Sequence, residues 1–210
     1  MTTQHVEQPT TPINEAATVD RLTLVTCISE GSSGYWDDCG PCANVSVGRI
    51  NHLLAPEDYN GKTIAAVRER DIQAGRFTVG GGQTLDDIRW DIQTFSQHQT
   101  VIDYVPFSQP GNWTLMHGLL ERYAGIAAIL IQVLAAHNLP NNEQGVYSHF
   151  LCISGIDSVK GYFLINGDQV QAAVEHETYY PGTWCTLAQL IPANVAGMLV
   201  VQRQASAPIV

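Results

Sequence analysis

An α+β fold is predicted for this chain by three features of its apolar pattern. Helix-period stripes occupy the first part, up to about Ala124. Short β-rich runs divided by turn residues occupy most of the remainder, from Gly125 onward. The two kinds of segment follow one another rather than alternating, which argues against a parallel α/β sheet.

The elements can be taken in order. Leu22–Thr26 reads as a short strand, followed by a Gly/Ser loop from Ser29 to Gly34. From Cys39, the apolar residues Ala43, Val47, Ile50 and Leu54 recur at spacings of four, three and four, one face of a helix. Asp38 is placed to cap it, and Pro41 falls in the first turn, where a missing N–H costs nothing. Helical signals continue from Thr63 to Gly75, and Gly80-Gly81-Gly82 then breaks the chain. Thr84 should cap a helix from about Leu85 to Ser96, whose stripe is Leu85, Ile88, Ile92 and Phe95. Trp113–Ala124 reads as a further helix. Ile126–Val133, His149–Ile156, Gly161–Ile165 and Met198–Gln202 read as strands.

Length and composition set limits on function. The 210 residues suit one generous domain, expected over residues 20–203 between flexible tails at 1–19 and 204–210. A net charge of −10 argues against nucleic acid or an anionic membrane as partner, since both reward Lys and Arg. The longest apolar run, Ala124–Ala136, is too short to cross a bilayer, so no membrane insertion is expected. The first residues lack the basic and apolar regions of a secretory signal, so the expected site of synthesis is the cytoplasm. The five cysteines are irregularly spaced, unlike a disulfide framework, and show no zinc-ligand spacing. Neither metal nor cofactor is expected.

The segment Asp37-Asp38-Cys39-Gly40-Pro41-Cys42 supports two chemistries. Cys39 can be a thiolate nucleophile at a helix start, or the pair Cys39 and Cys42 can be a thioredoxin-like dithiol. The carboxylates of Asp37 and Asp38 would oppose thiolate formation if aimed at the sulfur, and the expectation is that they cap the helix or face water.

The β-rich half offers a base. If His149–Ile156 and the run beginning at Gly161 form a hairpin around Asp157–Lys160, Ile156 pairs with Gly161. Carried outward, that register sets His149 opposite Asp168, with Asn166 on the same face. A carboxylate beside an imidazole fixes its tautomer and supports the imidazolium form. A bulge near Gly167 would make Asn166 the partner instead. A lone Cys or a lone His is usually ordinary packing. Here a Cys at a helix start coincides with a His–Asp pair across a hairpin, and the conjunction favours catalysis.

With these residues in view, the chain resembles papain-like cysteine peptidases. It is most similar to the branch with double-glycine leader peptidases and to peptidase domains of phage lysins and tail proteins. The resemblance rests on Asp38-Cys39-Gly40-Pro41, Ser148-His149-Phe150, Gly155-Ile156-Asp157 and Phe163-Leu164-Ile165-Asn166-Gly167-Asp168. Gln83-Thr84-Leu85-Asp86-Asp87 and Ala127-Ala128-Ile129-Leu130-Ile131 extend it, so it runs from about Leu22 to Gln202. It implies a papain-like fold, with Cys39 as nucleophile, His149 as general base and Asp168 as the orienting group. It also implies a peptide or peptidoglycan-type amide as substrate, in a phage or prophage product released at lysis or carried on a virion. One departure stands out. The family carries a Gln about six residues before the nucleophile as oxyanion donor, and here that position is Ser33. Ser33, Ser32 or a backbone N–H is left to substitute, and loss of one such donor costs about 10²–10³ in rate.

Two other classes stay open from the sequence. The thioredoxin-like reading has an intact Cys39-Gly40-Pro41-Cys42, but Val105-Pro106 and Ile191-Pro192 fit its required proline poorly, and His149 and Asp168 have no part in it. A papain-like scaffold with an idle triad, serving in binding or as a structural part, is the third.

Overall fold

The computed structural model describes residues 21–22, 34–35, 37–97, 100–106, 113–139, 148–165 and 183–203. The expected tails, the loops at 29–33 and 143–147, and the site candidates Ser33, Asn166 and Asp168 lie outside the described residues.

Three helices come early: α1 (Cys39–Ile50), α2 (Gly61–Gln73) and α3 (Leu85–Phe95). A fourth, α4 (Trp113–Tyr123), and a short α5 (Leu187–Leu190) follow. The strands are β1 (Arg21–Leu22), β2 (Thr100–Pro106), β3 (Ala128–Val133), β4 (His149–Asp157), β5 (Gly161–Ile165), β6 (Thr183–Cys185) and β7 (Val195–Arg203). They form one antiparallel sheet in the order β2-β7-β3-β4-β5-β6, with β1 pairing the far end of β4. The α+β class therefore stands. The helices are mainly N-terminal and the sheet mainly C-terminal, although β2 precedes α4.

Local chemistry accounts for the element ends. Thr84 caps α3 by accepting from the Asp87 N–H while Asp87 accepts from the Thr84 N–H, a complete capping box. Thr186 and Gln189 do the same for α5. Asn60 caps α2 by accepting from the Thr63 N–H.

The β4–β5 hairpin departs from the sequence expectation in two compensating ways. Asp157, not Ile156, pairs with Gly161, so the turn is Ser158–Lys160 and one residue tighter. The Asp157 carboxylate accepts both the Val159 and Lys160 N–H groups at 2.7 Å, which holds the turn closed. Gly161 follows with φ +93, and a Cβ there would lie 2.5 Å from the Cys185 carbonyl oxygen. The lost residue is recovered by a bulge between Ile153 and Gly155. Beyond it, Ile153 pairs with Leu164 and Cys152 with Ile165, the register on which the His149–Asp168 expectation was built.

The sheet is buried on both faces. On one face α1 and α3 pack through Val45, Val47, Ile88 and Ile92 onto Leu130, Phe150, Cys152, Ile165 and Leu199, and α2 adds Ile64 to the same core by packing on α1. On the other, Met116 and Leu120 of α4 and Leu190 of α5 pack onto Ile129, Ile131, Leu151, Ile153, Leu164 and Met198. Alternate residues of each strand go to opposite layers, as the pleat requires.

Candidate functional site

Four contacts fix which end of the sheet the start of α1 occupies. A Cβ on Gly40 would meet the Gln83 amide oxygen and come within 2.8 Å of Ile88 Cδ1, while Gly48 lies against the Phe95 ring. So α1 and α3 run side by side in the same direction. Leu85, at the start of α3, lies against Gly197. Gly197 is level with Gln132 of β3, which pairs with Phe150 of β4. At the opposite end, α3 finishes at Ser96, whose hydroxyl is 2.9 Å from that of Thr100, the first residue of β2 and level with Arg203. The N-terminus of α1 therefore stands at the end of the sheet where β4 begins with His149.

The helix is also fastened to that strand. The Cys152 thiol donates to the Ala43 carbonyl at 3.3 Å. From this anchor Cys39 is one helical turn back, about 6 Å, and His149 is three strand residues back, about 10 Å, toward the same end. Cys39 is half-buried and packs against the core beneath α1. His149 is 1% exposed. Phe150 and Cys152 face α1, so strand alternation sets His149 on the side of Leu151. An approach of its ring to Cys39 thus goes round the end of β4 and not across its face. A register shift in the β3–β7 pairing falls between Gln132 and Val133, and Val133 is the partner of His149. The extra residue there is Ala196 of β7, and the β3–β4 ladder itself runs without a shift through His149.

Of the two aspartates before Cys39, Asp38 neither caps α1 nor faces water, and Asp37 is partly exposed but held by Arg68. Asp38 occupies the N-cap position, but its side chain makes no capping hydrogen bond. It is fully buried and forms an ion pair with Arg68, Nε to Oδ1 at 2.7 Å. The same guanidinium donates through Nη2 to both oxygens of Asp37, at 3.2 and 3.3 Å. Arg68 also lies over the rings of Tyr35 and Phe77, 4.0 and 4.9 Å from their centroids. Asp37 further accepts the Gly80 N–H at 2.9 Å, which ties the glycine turn to the start of α1. Burial pushes the Asp37 carboxyl up, but the Gly80 N–H and the Arg68 guanidinium outweigh it and hold it below the ordinary value. Arg68 is held above its ordinary value, because its partnership with Asp37 outweighs the effect of burial.

A second polar network lies behind it. Gln83 Nε2 donates to Asp71 at 3.0 Å, and Arg70 donates to the other Asp71 oxygen at 3.1 Å. Arg70 also pairs with Asp91, and Asn44 of α1 donates to the same carboxylate. Burial pushes the Asp71 carboxyl up despite Arg70 and Gln83.

Arg68 has no part in the sequence reading, and Gln83 enters it only as the first residue of the Gln83–Asp87 helix start, with no role at the site. For Arg68 a signal existed: Ile64, Val67, Arg68 and Asp71 form one helical face, and a charge on an apolar face demands a partner. For Gln83 no pattern in the sequence points to Gly40.

Among the described residues, no group of three His, Cys, Asp or Glu side chains is arranged to hold a metal ion. No helix among them is long and apolar enough to cross a membrane. Neither a protein-family model nor a curated protein matches the chain.

Proposed function

We propose that this chain is a papain-like cysteine peptidase or amidase working through Cys39, His149 and Asp168. The observation that carries the reading is the meeting of two elements at one end of the sheet. The N-terminus of α1, with half-buried Cys39, stands at the end where β4 begins with His149. The helix start favours negative charge on the Cys39 sulfur. Asp37 and Asp38, which would oppose it, share the Arg68 guanidinium, whose single charge offsets part of theirs.

In this mechanism the Cys39 thiolate attacks the amide carbonyl carbon and forms a C–S bond. The C–N bond then breaks as the His149 imidazolium gives its proton to the leaving amine. His149 next takes a proton from water, which attacks the thioester, releases the carboxylate product and restores the thiol. Asp168 orients His149, and the oxyanion is held by the Cys39 backbone N–H with a second donor from this chain. The substrate class is a peptide or a peptidoglycan cross-link, in a product released at lysis or carried on a virion. The dithiol reading is the weaker one, because it leaves a buried His149 at this same end of the sheet without a task.

The test is to incubate the reduced protein with a mixed peptide library and with soluble muropeptides, reading new termini by mass spectrometry. Cleavage should vanish in Cys39→Ala and fall by about 10²–10⁴-fold in His149→Ala. Asp168→Ala should lower it more than Asn166→Ala. No cleavage of either class by the wild type would leave a binding or structural role for the scaffold, and cleavage that persists in Cys39→Ala would end the proposal.

A further inference from the structure

We infer that Arg68 is a positioning residue which sets the acidity of Cys39 by pairing with the two carboxylates that precede it and offsetting part of their charge. The inference rests on Cys39 as the working thiol, and it adds a charge on α2 to the site.

The geometry is specific. Arg68 belongs to the buried face of α2, yet its guanidinium reaches both residues that precede Cys39, with Nε on Asp38 and Nη2 on Asp37. A planar fork that serves two carboxylates at once suits arginine, whereas a lysine ammonium is a single point charge. Tyr35 and Phe77 lie against that cation, so its place is determined by packing as well as by charge.

The electrostatic consequence has a definite sign. Asp38 is the residue directly before Cys39, and its carboxylate is shut off from water. A bare carboxylate there would oppose ionisation of the thiol, and poor solvent screening would strengthen the effect. Arg68 reduces the opposition, and the Asp38 side chain makes no capping bond at the start of α1. A residue that merely stapled α2 to α1 would not predict opposite responses to loss of the positive and the negative partner. A charge-setting residue does.

The experiment is the apparent pKa of Cys39 from the pH dependence of iodoacetamide alkylation, read at that cysteine by mass spectrometry. It is run on the reduced full chain, as wild type, Arg68→Gln, Arg68→Lys and Asp37→Asn. Folding of each variant is checked by circular dichroism. Arg68→Gln should raise the pKa by about one unit or more, and Arg68→Lys should restore at least part of the shift. Asp37→Asn should move it the other way, downward. This last variant removes a partly exposed group, so the test survives if Arg68→Gln does not fold. An unchanged pKa in folded Arg68→Gln, or no fall in Asp37→Asn, would overturn the inference while leaving Cys39 and His149 as a pair. A wild-type Cys39 with an ordinary thiol pKa near about 8.5 would overturn both readings.

Discussion

The two faces of the sheet are built on different terms. Beneath α4 and α5 the core is apolar almost throughout, with Met116, Leu120, Ile129, Ile131, Leu151, Leu164, Leu190 and Met198 buried. Among α1, α2 and α3, apolar packing is mixed with buried Asp38, Asn44, Ser46, Arg68, Asp71, Gln83 and Asp91. Buried polar groups add little stability for the care their pairing demands, and they fix geometry instead. Both faces carry a full apolar core, and the comparison teaches that the α1–α3 face adds to its core a buried polar network around the start of α1. The candidate nucleophile belongs to that face.

Leu120→Ala tests the α4–α5 face and should have the largest effect on stability. Leu120 is fully buried, so its truncation should cost about 2–5 kcal/mol, measured by urea unfolding. Alkylation of Cys39 in the folded variant should stay close to wild type. A parallel loss of reactivity would erase the distinction between the faces.

Gly40→Ala tests the α1–α3 face. The new Cβ would press on the Gln83 amide and on Ile88, and overpacking of this kind costs about 1–3 kcal/mol. Here the expected signature is twofold: a lower unfolding midpoint together with slower alkylation of Cys39 at pH 7. Lost stability with unaltered Cys39 would mean that the start of α1 is less constrained than the contacts imply.

The smallest effect separates two carboxylates within the polar face. Asp37 has a folded pKa below its ordinary 3.8, so its stabilising contribution is present above that value and is lost as pH falls through the folded pKa. Asp71 is raised, so its contribution is full below 3.8 and is lost as pH rises through the folded pKa. Asp37→Asn should therefore flatten the acid limb of stability against pH, whereas Asp71→Asn should steepen the net gain on going from acid to neutral. Equal behaviour of the two variants in acid titrations of the unfolding midpoint would remove the contrast.

Much of this arrangement could be read from the chain, and the exceptions have physical reasons. The stripe Leu85, Ile88, Ile92 and Phe95 behind Thr84 gave α3 with its cap, because period and capping chemistry agree there. The β4–β5 hairpin was legible in outline, but its turn was set one residue too wide, since the Asp157 carboxylate closes a tighter one. Strands β2 and β6 went unread, and both are edges of the sheet. An edge strand is half covered, and β2 exposes Asp103 and Tyr104 and ends at Pro106, so its pattern is weak. At the site, Cys39 and His149 were named as candidates by residue type and spacing. Arg68 and Gln83 were not, because their partners come from other segments and pairing between segments leaves no periodic trace. Likewise Asp38 was assigned a cap from its position alone, and a buried arginine from α2 took it instead.

The central claim is that Cys39 and His149 act as a pair at the meeting of α1 and β4, and the most direct test is the alkylation profile of all cysteines in wild type and His149→Ala. Cys39 should react rapidly below about pH 7, well under the ordinary thiol value, and His149→Ala should remove that reactivity. Cys185 is the internal reference, since burial pushes its thiol up to about 12. A Cys39 that reacts no faster than Cys152 or Cys185, or one indifferent to the loss of His149, would contradict the account.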